Sequence, residues 1–184
     1  MAASGAMNSV VIRPVERFPE PEFSRLCREV FANVQQPSCE LASALADEAG
    51  TQPAVGHPHT PMYRLGAYDQ DEFIGWSCGW MERGSVYYMA NSGVILSHRR
   101  KGIYASLLSA VREHAISSGA VAIRSQHSVL NNPVIIAKLR RGFHISGLSQ
   151  SAQMGTLVEL TLHLSEKRHS LFCSRSLPYV TPDA

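Results

Sequence analysis

The chain has 184 residues, of which 45% are hydrophobic and 17% charged, and carries a formal net charge of +2. That length suits one domain burying about 70% of its unfolded surface, and no stretch nears the roughly 20 unbroken apolar residues of a membrane span. This balance excludes a disordered chain and a transmembrane helix, and so small a net charge does not by itself indicate a nucleic-acid binder.

Residues 1–9 are small and polar, without a basic start or an apolar stretch, and read as an N-terminal tail rather than a secretory signal. A β-branched run over 9–13, closed by Pro14, predicts a first strand. Phe23, Leu26, Cys27, Val30, Phe31 and Val34 recur at helical spacing and predict an amphipathic helix. Ser38 caps a second predicted helix, with Leu41, Leu45 and Ala49 on one face and Gly50 as its stop. The segment 51–60 holds two prolines, two histidines and a glycine and reads as a loop.

From Met62 the period changes. Strand-like runs at 62–68, 73–81 and 86–96 are joined by Asp69-Gln70-Asp71 and Arg83-Gly84, which predicts an antiparallel meander. A helix starts near Gly102, with Tyr104, Leu107, Leu108, Val111 and Ala115 on one face, and stops at Gly119. A strand follows at 120–125. Asn132 before Pro133 predicts an N-cap, and a helix over 133–141 ends at Gly142. Strands at 143–148 and 156–164 close the domain, placed at 10–164, and the polar remainder 165–184 reads as a C-terminal tail. The order implies an α/β fold of the mixed α+β kind: a central, mostly antiparallel sheet of about seven strands flanked by about four helices.

The chemistry concentrates in residues 94–108. A strand runs into Arg99-Arg100-Lys101, then Gly102 opens a helix. A helix start offers unpartnered N–H groups and the positive end of the dipole, so with three cations beside it the turn suits a pyrophosphate. Ser92-Gly93 in the preceding strand predicts a bulge whose exposed backbone would pair with an extended, amide-containing arm. Lys138, Arg140 and Arg141 form a second basic cluster.

In these features the sequence resembles the GNAT N-acyltransferases, whose hallmark is a strand, Arg/Gln-x-x-Gly-x-Gly/Ala, and a helix. The matching residues are Arg99-Arg100-Lys101-Gly102-Ile103-Tyr104, with Tyr104 in place of the last small residue. Asn132-Pro133 through Lys138 to Gly142-Phe143 resembles the family's second region, and Lys138 stands where many members carry a tyrosine that protonates the leaving thiolate. The resemblance covers about 10–164 and implies an acyl-CoA N-acyltransferase domain that binds acetyl-CoA. The turn Arg99, Arg100, Lys101, Gly102, Ile103, Tyr104 and Ala105 would hold its pyrophosphate, and Val94, Ile95 and Leu96 would pair with the pantetheine. Asn132 and Lys138 would complete that site.

The implied reaction is direct acetyl transfer, in a ternary complex, to a primary amine on a small molecule or peptide. Glu82, His127 and Glu159 are candidate bases. Trp76 and Tyr88, with Tyr87 and Trp80, are candidates to line the acceptor side, although each also fits a core or sheet-surface position. Lys138 is a candidate proton donor, with the alternative that it sits on CoA phosphates or in water. Two other function classes compete: a CoA-binding sensor or regulatory module without catalysis, suggested by Lys138 replacing tyrosine, and a nucleotide or nucleic-acid binder using the same basic turn. The transferase reading carries expectations of no nucleic-acid or membrane partner. The histidines of 51–60 lack metal-ligand spacing, so no metal is expected. Cysteines 27, 39, 78 and 173 form no CxxC pair, which suggests a reducing, cytoplasmic setting. A homodimer paired through the final strands is implied by the resemblance alone.

Overall fold

The computed structural model describes residues 10–31, 61–151 and 154–176. Its elements are β1 (Val11–Pro14), α1 (helical over 22–31), β2 (Tyr63–Asp69), β3 (Glu72–Glu82), β4 (Val86–Val94), a 3-10 turn (Leu96–His98), α2 (Ile103–Ser117), β5 (Ala122–Ser128), α3 (Asn132–Leu139), β6 (His144–Ser151), β7 (Gly155–His163) and α4 (Glu166–Ser176). The helix expected from Ser38 and the loop 51–60 lie outside the described residues. No described helix is long and apolar enough to cross a membrane.

Seven strands form one sheet in the order β1-β2-β3-β4-β5-β7-β6. The meander β2, β3, β4 is antiparallel as its turn chemistry predicts, and β4 with β5 is the parallel pair. Helices cover both faces. On one, Phe23 and Phe31 of α1 meet the Trp76 indole edge-on at 5.4 and 6.2 Å. On the other, the His114 ring of α2 stacks on Tyr63 at 3.4 Å, and Leu107, Val111 and Ala115 are fully buried. Those α2 positions are spaced as the periodicity predicts, so burial of one apolar stripe is what fixes the helix against the sheet.

Three expectations need correction. The segment 165–184 is not all tail, because 166–176 form α4, which presents few apolar residues and is fastened by Phe172 stacking on His144 at 3.8 Å. The bulge lies earlier than Ser92-Gly93: Cys78 pairs Asn91 while Gly79 pairs Met89, leaving Ala90 as the extra residue. Gly93 serves a different end, since a Cβ there would come within 2.7 Å of the Trp76 ring. Finally, the N-cap of α3 is Asn131, making no side-chain cap bond, and Asn132 is the first helical residue with Pro133 next. Proline is tolerated in that first turn because its missing N–H has no helical partner there.

Candidate functional site

The parallel ladder between β4 and β5 is short. Only Val86–Ala122, Tyr87–Ile123 and Tyr88–Arg124 are paired, after which the strands diverge. The bulge at Ala90 begins just past that point and bends β4 away. From Met89 onward β4 therefore turns backbone groups toward an open wedge. Ile95 N–H is not among them, because it donates to Ile74 O at 3.0 Å on β3. Backbone groups alternate along a strand, so the Val94 N–H faces the wedge.

Beyond β4 the chain makes the 3-10 turn and enters α2. The Arg99 guanidinium folds back to donate from Nε to Val94 O at 3.0 Å, while Arg100 and Lys101 are exposed. Gly102 is the N-cap of α2 with φ +82°, the left-handed region that suits glycine. No side chain caps this helix, and nothing lies within 4 Å of where a Gly102 Cβ would be. The first N–H groups of α2, from Ile103, Tyr104 and Ala105, thus face open space with positive charge beside them, an arrangement suited to a phosphate. The Tyr104 side chain packs against the core, and burial pushes its phenol up to about 12.

At the closed end of the wedge stands Lys138, the one fully buried cationic side chain among the described residues. Its Nζ donates to Ser125 Oγ at 2.6 Å and lies 3.5 Å from Met89 Sδ and 4.9 Å from the Phe143 ring centroid. Ser125 Oγ is also 3.1 Å from His127 Nε2. Among the described residues no carboxylate forms an ion pair with Lys138. Burial without a counter-charge holds its amine down at about 7. Burial first, and the Lys138 charge second, press His127 down to about 3, so this imidazole is neutral. Met89 is the first residue of β4 past the paired ladder, and Ser125 the first of β5. The amine touches both.

The opposite face of the sheet carries a different cluster. Arg124 donates to Glu82 at 2.8 Å and lies 3.8 Å from Glu159. Gln126 donates to Glu159 at 2.8 Å and to Ser149 at 3.1 Å, and accepts from the Tyr88 hydroxyl at 3.1 Å. The Trp80 and Tyr88 rings lie 5.1 Å apart beside it. A further cleft of about 400 Å³ lies between α2, the end of α3 and β7, lined by Leu108, Ser109, Arg112, Arg140, Arg141 and Leu162.

Lys138 stands against Met89, where the stretch of β4 unpaired with β5 begins, and Val94 and the turn residues follow at the far end of that stretch. The structure does not bring the three candidate bases together: His127 is on the Lys138 side, whereas Glu82 and Glu159 are on the other, both tied to Arg124. Trp76 is fully buried and donates from Nε1 to Asn91 at 2.9 Å, which makes it core. Tyr87 is likewise buried, while Tyr88 and Trp80 border the Glu82 cluster. Asn132 lies at the start of α3, and its N–H donates to Leu130 O. Sequence reasoning passed over Ser125, Arg124 and Gln126. The two-residue alternation of β5 contained the signal, since it sends Ser125 and His127 to one face and Arg124 and Gln126 to the other.

A family model described as "Acetyltransferase (GNAT) family" matches residues 24–143. No curated protein matches the chain significantly. Among solved structures, the ribosomal-protein-S18-alanine N-acetyltransferase of Escherichia coli superposes with a TM-score of 0.63 at 12% identity, covering 85% of this chain and 95% of that one. A Bacillus subtilis acetyltransferase in complex with CoA gives 0.59 at 17% identity, covering 85% of this chain and 100% of the other. Nourseothricin acetyltransferase gives 0.53 at 20% identity, covering 56% of this chain, which spans 66% of that protein's length. Identities this low speak to the fold.

Proposed function

The chain belongs to the acetyltransferase (GNAT) family, and from that premise we propose that it moves an acetyl group from acetyl-CoA to a primary amine of a small molecule or peptide, directly, within a ternary complex. The observation that carries this reading is the wedge between β4 and β5, which joins an uncapped helix start at Gly102 to the Lys138 amine.

Acetyl-CoA supplies the activated thioester. The N–H groups of Ile103, Tyr104 and Ala105, with Arg100 and Lys101, would hold its pyrophosphate, and the free edge of β4 around Val94 would pair with its extended arm. Arg112, Arg140 and Arg141 offer positive charge to a further phosphate. As the acceptor nitrogen bonds to the acetyl carbon and the carbon–sulfur bond breaks, that nitrogen sheds its extra proton to solvent, while Lys138 gives a proton from Nζ to the departing thiolate, becomes a neutral amine and is recharged from solvent once the products leave. A held amine near 7 is matched to this task, because a donor works best when its proton affinity lies near the working pH. Its complete burial argues against the alternative of a lysine resting on phosphates or in water. Tyr88 and Trp80, beside Glu82 and Glu159, are the acceptor side of this reading.

Calorimetric titration tests it. Acetyl-CoA binds saturably to the wild-type protein, and Gly102→Asp loses at least about tenfold in affinity, because a carboxylate and an unfavourable φ replace an open cationic cradle. Thiol release with a panel of amines then identifies the acceptor. A wild type that binds neither acetyl-CoA nor CoA overturns the reading.

A further inference from the structure

Lys138 is not alone at the end of the wedge. Its amine has four neighbours of distinct kinds: the Met89 thioether from β4, the Ser125 hydroxyl and beyond it the His127 imidazole from β5, and the Phe143 ring at the start of β6. Of these only His127 titrates, and it is neutral. The ammonium form of lysine only donates, and a neutral imidazole accepts at one nitrogen. A hydroxyl has one proton to give and lone pairs to receive. One arrangement satisfies all three groups when the lysine is charged: Nζ–H to Oγ, and Oγ–H to Nε2. Ser125 is fully buried, so no water competes for that hydroxyl.

We propose that Ser125 is the positioning residue for Lys138: its hydroxyl, oriented by His127, accepts a hydrogen bond from the ammonium group and fixes Nζ at the fork where β4 and β5 part. This rests on Lys138 serving as proton donor in the acetyl transfer proposed above. Without the hydroxyl the four-carbon side chain has only a thioether and a ring face to hold it. The amine then loses both its direction and the one polar partner that stabilises its charged form. The lone lysine at the wedge is thus a composite of three residues on two elements, the α3 helix and the β5 strand.

The chain contains only three lysines, Lys101, Lys138 and Lys167, which makes the test direct. In protein labelled with ¹³C at lysine Cε, the Lys138 resonance is the one lost in Lys138→Met, and its titration is followed in the ligand-free protein. The wild-type midpoint is expected at about 7. In Ser125→Ala it moves lower, since hydrogen bonding to the charged form is removed. In Ser125→Thr, which keeps the hydroxyl, it returns toward the wild-type value. In parallel, kcat for acetyl transfer falls about tenfold in Ser125→Ala with the acetyl-CoA KM within about twofold, and Ser125→Thr recovers most of it. An unmoved Lys138 midpoint in Ser125→Ala, or kcat and KM changing together without rescue by threonine, overturns the positioning role. A wild type that shows the titration shift but transfers no acetyl group to any amine overturns the underlying reaction instead, so the two failures are told apart.

Discussion

The two faces of the sheet at β5 solve the same problem in opposite ways. On the α1 side, Arg124 sits between Glu82 and Glu159, and Gln126, Ser149 and Tyr88 fill in the remaining bonds, in a setting still partly open to water. On the α3 side, Lys138 is taken fully out of water and given a hydroxyl, a thioether and a ring, with no carboxylate. Neighbouring residues of one strand serve both. A charge with opposite charges beside it is stabilised where it stands. A charge that is desolvated and unmatched is pushed toward the pH at which it can release a proton, and chemistry is to be sought there.

The largest expected effect is at Lys138. Lys138→Met, of similar length but without charge, lowers kcat at least about 100-fold, yet raises the melting temperature. The gain has a defined pH course. Because the folded protein holds this amine at about 7 rather than 10.5, the unfolded chain binds more protons between those values, and wild-type stability rises with pH across that window. The advantage of the methionine variant is therefore greatest at pH 7 and below and shrinks toward pH 10, as thermal melts at several pH values will show. A methionine variant that is less stable at pH 7 breaks the contrast between the faces.

Next comes Arg124→Gln, which leaves two carboxylates facing each other without their cation. A loss of about 1 kcal/mol, or a melting temperature lower by about 3 °C, is expected, with acetyl-CoA affinity unchanged in calorimetry. Glu82→Gln should do less, with kcat within about threefold of wild type, since one partner of a half-exposed pair contributes little. A 100-fold loss of kcat in Glu82→Gln would instead make this carboxylate the base and place the decisive proton transfer on the α1 side.

The smallest effect concerns α4. His144 and His163, 5.0 Å apart between β6, β7 and Phe172, are both held below the ordinary imidazole value, by burial first, and then His144 by His163 and His169, and His163 by His169 and Arg168. The contribution of this stack to stability is complete above about pH 6.5 and is lost as pH falls below it, because the released form takes up the proton more readily. Hydrogen exchange of the α4 amides is expected to quicken a few-fold, beyond the intrinsic rate change, between pH 7.5 and 5.5. His144→Phe should flatten that response.

Much of this was readable in the chain itself. The 3.6-residue spacing of Leu107, Val111 and Ala115 predicts α2, and the glycines at 102 and 142 mark where helices begin and end with positive φ. What escaped was set by contacts distant in sequence. The polar segment 166–176 has no apolar stripe to announce a helix, and Phe172 fastens it against His144 and His163. Ser92-Gly93 pointed to irregular backbone, but the glycine is explained by the Trp76 ring that lies over it, while the extra residue is Ala90. Lys138 carries the same lesson: the sequence offers it both as a proton donor and as a cation on phosphates or in water, because nothing local records that Ser125, 13 residues earlier, waits beneath it.

The three-pair ladder between β4 and β5 also means that the sheet holds an unfinished seam in its interior rather than at its rim. Whatever lies in that seam supplies the missing strand, so occupancy is coupled to rigidity by mass action, about 2.7 kcal/mol when the occupant is present at 100 times its Kd. The wedge-facing amides of β4 past Tyr88, that of Val94 among them, thereby act as a gauge: fast to exchange when the seam is empty, slow when it is filled, with the supply of ligand setting how often the molecule's two halves are stitched into one.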